Sequence, residues 1–513
     1  MGLSVRRLGA FACLLGPAAA HAQLAPVGVP AGVVRVELDG RMDIWDSQYL
    51  DGTRVPLGAD LSSSALGRSL IPFLADADAR LERITGIAGY GLDLGRLTTD
   101  AQRDESRGYL GVSLGLTGRI TLFGRIPLVR SRAQSAFALA PATTDAGLNP
   151  GAGQQAGFFT AFNVALGTLS ANITNGAYNG NAATLALAQS TLASGTALND
   201  DLFGLLSDPS TASPFVPVAS SVAGTAISTR VAALQTTLAN DLGVAGFTTA
   251  PLLPGPPVTQ AELLSALSDP LGPVGTRLDN TSVTFRGDAE AGAALTLLDH
   301  WDRDGRRGGF RAAVEGLVRF PTGSPPRADR LFAVGTGDGQ TDIEARVTAD
   351  LGSGGFGVRL EGDYNRQLGA DITARVAPPS QPFAGSGVIT NVRNDPGDIT
   401  TLAVRPFYRL APTLAIQGSA AFRSRGADQV SYATPADEIP GVDPSVLAVD
   451  TRGNATVLGI GLTYANPGAL LPGGRGLPVE AGWSYQRVVK GTGGRVPNTH
   501  GITAYFRVYF GLF

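Results

Sequence analysis

The chain has 513 residues and a formal net charge of −3, and only 16% of its residues are charged, whereas an ordinary soluble domain carries roughly 25%. Its hydrophobic content is 43%, with 68 Gly and 33 Pro. This composition is too poor in charge for a typical soluble enzyme and too apolar for a disordered tail. The near-neutral charge gives no reason to expect a nucleic-acid partner, and three His and one Cys leave little material for a metal, cofactor or thiol site.

The first 22 residues have the pattern of a secretory signal peptide. Arg6 and Arg7 form a positive start, residues 8–20 are apolar, and Ala20 and Ala22 are small residues placed for cleavage. The apolar segment is short for a membrane span, and Cys13 lies inside it rather than at its end. An uncleaved anchor and a lipid-anchored form are the alternatives to export with cleavage after residue 22.

Beyond the signal segment, apolar and polar residues alternate with a period of two. Between residues 34 and 44 the even positions are apolar or small and the odd positions are charged. The same alternation returns at 285–293, 310–320, 342–351, 358–365, 402–408, 414–422, 455–464 and 479–485, which predicts β-strands. A soluble sandwich would also alternate. The apolar face is rich in Gly and Ala with aromatics near the strand ends, and this favours an antiparallel transmembrane β-barrel.

The connections between strands predict how many there are. Tight turns at 116–119, 352–355 and 410–413 alternate with long connections if residues 89–116 form one extended strand. This gives about 12 strands with both termini in the periplasm, and 14 is the rival count. Strands 1–3 are predicted within 23–137, together with a short helical loop near 61–85. An insertion covers 138–276, and strands 4–12 lie within 277–513.

The insertion at 138–276 differs in composition, because it is nearly free of charge. Apolar residues at helical spacing are Phe158, Phe162, Leu166 and Leu169, and then Ile227, Val231, Leu234 and Leu238. Thr259 and Glu262 have the spacing of a capping box. We therefore expect an α-helical extracellular cap. It either serves as a lid over the access route of an apolar ligand or only packs its own apolar stripe, and the second interpretation is favoured.

The polar faces of the strands supply the candidate lining of the lumen. These candidates are Arg35, Glu37, Asp39, Arg41, Arg286, Asp288, Glu290, Arg311, Glu315, Asp342, Glu344, Arg346, Arg359, Glu361, Arg405, Arg423 and Glu480. A lumen of this kind either conducts solutes or is plugged by pairing of its opposite charges. The mixed signs predict no clear ion selectivity.

Catalysis is not predicted. Only His300 and His500 remain after signal removal, and His500 with Ser484 on the neighbouring strand is a weak candidate for a general base and nucleophile. An interfacial structural role is favoured for His300 beside Trp301.

The last strand, 502–512, ends at Phe513. A terminal strand ending in Phe resembles the assembly signal of bacterial outer-membrane barrels, and this implies the barrel assembly machinery as a partner. Phe513 falls in register with the polar face of the strand, so either a bulge or a slip near Gly511 would be needed to bring it to the apolar face.

Several short motifs resemble one family. The run 115–122, followed by Ile126-Pro127, resembles the second hairpin of outer-membrane proteins in the phenol meta-pathway group, distant relatives of fatty-acid and aromatic-hydrocarbon transporters. Segments 287–290, 319–323 and 335–339 resemble the same group. The resemblance implies a barrel set in outer-membrane lipid that passively transports small hydrophobic molecules, and it implies no particular binding residue. The alternative is a structural or surface-binding outer-membrane protein with a plugged lumen.

Overall fold

A computed structural model of the protein describes residues 27–140, 144–301, 308–411, 413–466 and 477–512. The predicted signal peptide and Phe513 lie outside the described residues, so both remain predictions.

The main sheet closes into a barrel of 12 antiparallel strands. Each strand pairs with the one before it, and the last pairs with the first, so 12 rather than 14 is the correct count. The strands are β1 Val33–Trp45, β2 Arg96–Gly115, β3 Ile120–Ala140, β4 Ala289–Asp299, β5 Gly308–Phe320, β6 Asp342–Ser353, β7 Phe356–Gln367, β8 Ile399–Ala411, β9 Leu414–Arg425, β10 Gly453–Ala465, β11 Val479–Gly493 and β12 His500–Gly511. Closure leaves no open sheet edge, which a membrane requires because lipid supplies no hydrogen bonds.

The wall of the barrel separates apolar from charged side chains. On β1, Leu38 and Met42 are exposed on the outside while Arg35 and Glu37 are buried. Exposed aromatics lie near both rims of the outer surface, as in other membrane barrels. They include Phe356, Tyr408, Tyr464 and Phe510 near one rim and Phe320, Tyr364 and Phe422 near the other.

The two ends of the barrel differ in their connections. Short turns join β2 to β3, β6 to β7 and β8 to β9 at one end, called here the turn end. The long connections and the helices lie at the other end, called here the cap end. In bacterial barrels short turns face the periplasm, so the cap end is expected to face outward.

Strands β2 and β3 are longer than the others, at 20 and 21 residues. The predicted extended strand is therefore present, but it begins at Arg96 rather than at residue 89. An additional strand, Thr281–Arg286, pairs with β3 and is separated from β4 by Gly287 and Asp288. The long hairpin leads the chain into the helical insertion.

The helices are α1 Leu74–Thr85, α2 Ala152–Thr174, α3 Ala182–Leu206, α4 Val222–Thr236 and α5 Gln260–Ser268, and a π-helical turn, Thr237–Asp241, extends α4. All eight residues predicted from helical spacing are buried in one hydrophobic core. Both hydrogen bonds of the capping box between Thr259 and Glu262 are present at the start of α5.

The two helical segments form one unit. Helix α1 packs on α3 and α4, and Nη2 of Arg83 lies 2.6 Å from an Asp201 carboxylate oxygen. By length and composition α2 could cross a membrane, yet Phe158, Phe162 and Leu169 along it are buried in the shared helical core. The region of α1 to α5 is called the helical cap below.

Small elements complete the cap end. Strands Ser47–Leu50, Thr53–Pro56 and Arg495–Pro497 form one three-stranded sheet, and Ala370–Arg375, Ile389–Asp395 and Gln429–Tyr432 form another. Ala146–Leu148 pairs with Phe215–Pro217. Short 3-10 helices are Ala59–Leu61, Ser386–Val388, Pro435–Asp437 and Pro444–Ala448.

Candidate functional site

A chain of ion pairs runs along the inner face of the barrel wall. The Glu37 carboxylate lies 2.6 Å from Nε of Arg125 and 3.1 Å from Nε of Arg507. Arg507 also reaches Glu480 at 3.2 Å, and all four side chains are buried. An unpaired buried charge is costly. The mutual pairing therefore allows these charged side chains to be buried on the inner side of a wall whose outer side is apolar.

The chain continues around the wall through two arginines. Arg319 contacts carboxylates of Glu290, Asp342 and Glu344 at 3.2, 2.5 and 3.2 Å. Arg346 contacts the same Glu344 at 2.5 Å. Its other partners are Glu315 at 3.0 Å and Asp363 at 2.5 Å. Each guanidinium is therefore shared among several carboxylates on neighbouring strands.

Separate pairs lie above and below this chain. Asp350, nearer the turn end, contacts Arg311 at 2.5 Å and Arg359 at 2.6 Å. Arg405 on β8 contacts Glu361 on β7 at 2.8 Å. At the cap end, Arg41 and Asp43 on β1 are paired at 2.5 Å.

Two predicted lumen residues, Asp39 and Asp288, take part in none of these ion pairs. Asp39 is in register with Tyr109 and Tyr505, and its Oδ1 is buried with no hydrogen-bond partner among the described residues. Asp288 lies outside the strands and accepts a hydrogen bond from the Gly323 backbone N–H at 2.8 Å. It therefore holds the loop after β5.

The prediction for Arg286 is wrong. It is exposed, and its pairing partner on β3 is Leu128, which is 60% exposed on the outer surface. Glu290 pairs with Arg125 and faces inward. On β3, Leu128 lies three positions after Arg125. On the paired side, Arg286 lies four positions before Glu290, so the Gly287–Asp288 interruption adds one residue. Such a bulge reverses the side to which the next residues point.

Several network members are absent from the candidate set, chiefly Arg125, Arg319, Asp350, Asp363 and Arg507. The signal that finds them is the same alternation. Arg125 and Arg507, for example, each lie between outward-facing neighbours on β3 and β12.

The described residues enclose at least two interior cavities. One, of about 70 Å³ and called the larger cavity below, lies toward the cap end. Its lining combines small or apolar side chains with Arg41, Arg405, Arg423 and Arg425. A second, smaller cavity of about 10 Å³ lies nearer the turn end and is lined by Arg35, Arg125, Arg346 and Arg359, among others. Glu361 lines both cavities, so the Glu361–Arg405 pair forms the floor between them.

The turn end is covered from inside. Trp301, in the connection after β4, lies under the guanidinium carbon of Arg311 at 4.9 Å and 6.4 Å from the ring of Phe407. The backbone N–H of Val29 donates to Oγ1 of Thr121 at 2.8 Å. The described start of the chain thus folds against β3, and Val27 lines the smaller cavity.

The Ser484 and His500 pair does not assemble. Ser484 is buried toward the interior, while His500 pairs with Arg487 on the opposite side of the wall and contacts the Tyr485 hydroxyl through Nδ1 at 2.8 Å. Within the described ranges there is also no group of three or more His, Cys, Asp or Glu residues placed to hold a metal.

No known protein family matches the chain, and no characterised protein matches its sequence. Among solved structures, an outer membrane channel from Pseudomonas putida F1 matches with a TM-score of 0.42 at 11% identity, covering 95% of this chain and 100% of that one. The translocator domain of the autotransporter NalP from Neisseria meningitidis matches with a TM-score of 0.32 at 7% identity, covering 93% and 88%. A mutant of the monoaromatic hydrocarbon channel TodX matches with a TM-score of 0.29 at 11% identity, covering 94% and 91%.

These TM-scores are low, so the architecture of this chain rests on its own strand pairing. The predicted resemblance to the phenol meta-pathway group stays a prediction.

Proposed function

We propose that this protein is a passive channel of the bacterial outer membrane for small hydrophobic molecules. The observation that carries the proposal is the partly apolar cavity toward the cap end, inside a closed barrel with an apolar outer wall. Ligand cavities have mostly apolar linings with a few polar groups that fix the orientation of the ligand. The lining of this cavity fits that description, because Ala403, Ala421, Ala455, Val457 and Val488 face the same space as its arginines.

The proposed route begins at the cap end. A solute passes the helical cap, occupies the larger cavity, and crosses the Glu361–Arg405 floor into the smaller one. Movement of Trp301 and of the segment near Val29 opens the turn end.

A second candidate function is a structural or surface-binding outer-membrane protein. The interior ion-pair chain favours it, since Arg507, Glu37 and Glu480 are fully buried on the inner face of the barrel wall. In this case the helical cap would carry the function.

Uptake into vesicles separates the two candidates. The purified protein is reconstituted into vesicles with lipopolysaccharide in the outer leaflet, and entry of the apolar dye N-phenyl-1-naphthylamine is followed by its fluorescence. A channel speeds entry above that of empty vesicles, and an excess of toluene or benzamide slows it by competition. Equal entry with and without the protein contradicts the transport proposal and leaves the structural one.

A further inference from the structure

The larger cavity contains a buried arginine that differs from all of its neighbours. Arg423 on β9 is only 8% exposed and lines the cavity. It pairs in register with Thr401 on β8 and Ala455 on β10, neither of which carries a charge. Its Nε is buried without a hydrogen-bond acceptor, and no hydrogen bond or ion pair joins Arg423 to another described residue.

The other arginines of the cavity each have a carboxylate. Arg41 is paired with Asp43 at 2.5 Å, Arg405 with Glu361 at 2.8 Å and Arg425 with Asp428 at 2.7 Å. Arg423 is thus the arginine of this lining that no carboxylate of the described residues contacts at ion-pair distance.

The charges around Arg423 have both signs. Arg425 and Arg41 line the same cavity and repel the Arg423 guanidinium, while Glu344 and Asp363 attract it without an ion-pair contact. A buried charge of this kind is costly unless an opposite charge approaches it. The cavity therefore favours an occupant that carries an anionic group.

The rest of the lining specifies the body of that occupant. Ala421 and Ala455 lie two residues from Arg423 on β9 and opposite it on β10, and Val457 and Val488 continue the apolar surface. Thr401, Ser419 and Gln486 add uncharged polar groups. A fully hydrated inorganic anion would leave the apolar part of the cavity unused, whereas an organic anion would fill both parts.

We propose that the larger cavity binds a small apolar molecule bearing a carboxylate, with the carboxylate against the Arg423 guanidinium. Arginine suits this role, because its planar fork binds a carboxylate through two parallel hydrogen bonds. This inference rests on the proposed function in that it names the substrate class of the same lumen.

The test compares two molecules of nearly equal shape. Benzoate and benzamide are titrated calorimetrically into the full-length protein in detergent at pH 7, where benzoate is ionised. We expect benzoate to bind roughly tenfold or more tightly than benzamide, as a charge-assisted hydrogen bond predicts. Equal affinities in the unmodified protein overturn the proposal without any variant.

Matched variants locate the anion. Arg423→Gln should abolish the preference for benzoate, and Arg423→Lys should keep part of it. Arg425→Gln removes a charge from the same cavity but one already held by Asp428, so it should keep most of the preference. If Arg425→Gln and Arg423→Gln reduced the preference for benzoate equally, the preference would come from the overall positive potential of the cavity rather than from one residue. That result would overturn the assignment to Arg423. Displacement of benzoate by chloride or phosphate at equal concentration would overturn the apolar part of it.

The vesicle assay keeps this inference separate from the proposed function. Competition by benzamide without any benzoate preference in the titration overturns the Arg423 site and leaves the channel standing. A benzoate preference lost in Arg423→Gln, combined with no uptake of any solute, supports the site and contradicts transport.

Discussion

Arg507 joins the two strands that flank β12 in the closing part of the barrel. It contacts Glu37 on β1 and Glu480 on β11, and its guanidinium carbon lies 4.8 Å from the Tyr505 ring centroid. It is fully buried, it compensates Glu480, and it shares the compensation of Glu37 with Arg125. A single side chain therefore links the chain's first and last strands electrostatically as well as by hydrogen bonds.

Arg507→Gln should destabilise the barrel strongly. The substitution leaves Glu37 and Glu480 short of a counter-charge inside the wall, and breaking such a buried pair costs about 3–5 kcal/mol. The midpoint of urea unfolding in detergent micelles measures the effect. The control is Arg327→Gln, because Arg327 pairs with Asp329 on an exposed loop, where a pair contributes about 0–1 kcal/mol. Equal midpoints for the two variants would show that the interior pairs do not support the fold.

For single residues, the sequence predicts well on which face of the barrel wall a side chain lies. It predicts poorly which other side chain it contacts. Alternation places Glu37 and Arg346 on the inner face correctly, because the pleat fixes the side of each residue. It cannot reveal that Glu37 meets Arg125, 88 residues away, since that pairing depends on closure of the ring. It also fails at Arg286, where Gly287 and Asp288 continue the apparent pattern while adding a residue.

Elements at the cap end contain a group whose charge state depends on pH. Asp338 lies in the loop between β5 and β6. Burial raises the pKa of Asp338 to about 6, and repulsion from Asp342 and Asp288 adds to this, against a backbone hydrogen bond from Gln340 and attraction from Arg319. The folded loop therefore favours the protonated acid. Its stabilisation is complete below the unfolded pKa of about 3.9 and is lost as pH rises through about 6.

Asp338→Asn should remove this pH dependence. In the unmodified protein, hydrogen exchange of residues 322–341, corrected for intrinsic rates, should be faster at pH 8 than at pH 5, and the variant should show equal protection at both. Asp329→Asn is the control in the same loop, because its carboxylate is paired with Arg327 near the surface. A pH dependence that survives in Asp338→Asn would assign the effect to another group.

The helical cap should unfold separately from the barrel. Phe162 on α2 is fully buried, stacked on Phe247 with ring centroids 4.6 Å apart and edge-on to Phe158 at 5.6 Å. Phe162→Ala should cost about 3–5 kcal/mol, confined to the cap because the barrel wall is held by its own strand pairing. Hydrogen exchange read segment by segment measures this. The control is Val164→Ala, since Val164 is 63% exposed. An equal loss of hydrogen-exchange protection in the barrel strands would show that the helical cap and the barrel unfold as one cooperative unit.

The helices also show where sequence prediction ends for elements. Helical spacing locates the apolar faces of α2 and α4, and the capping motif locates the start of α5, because these signals are local. That α1 joins the same core through α3 and α4 is not local, and its ion pair from Arg83 to Asp201 spans 118 residues. The sequence therefore predicts two helical loops, and the structure has one helical cap.

Along the barrel axis, the interior alternates between cavities and ion-paired side chains. The larger cavity at the cap end is followed by the Glu361–Arg405 floor, the smaller cavity and the Trp301 cover. No periodicity in the sequence distinguishes an open lumen from this arrangement, because the same inward charges serve both. Whether the lumen is open or blocked depends on how far each arginine side chain extends across it.

Glu361→Ala combined with Arg405→Ala should increase the conductance of the protein in planar bilayers. Removing both partners joins the two cavities without leaving either charge of the pair unmatched. The matched control is Arg41→Ala with Asp43→Ala, which deletes another ion pair that lines the larger cavity only, and it should change conductance little. Unchanged conductance in the first variant would move the barrier to the turn end. Trp301→Ala added to that variant should then raise the conductance, because Trp301 would be the remaining obstruction between the smaller cavity and the barrel mouth.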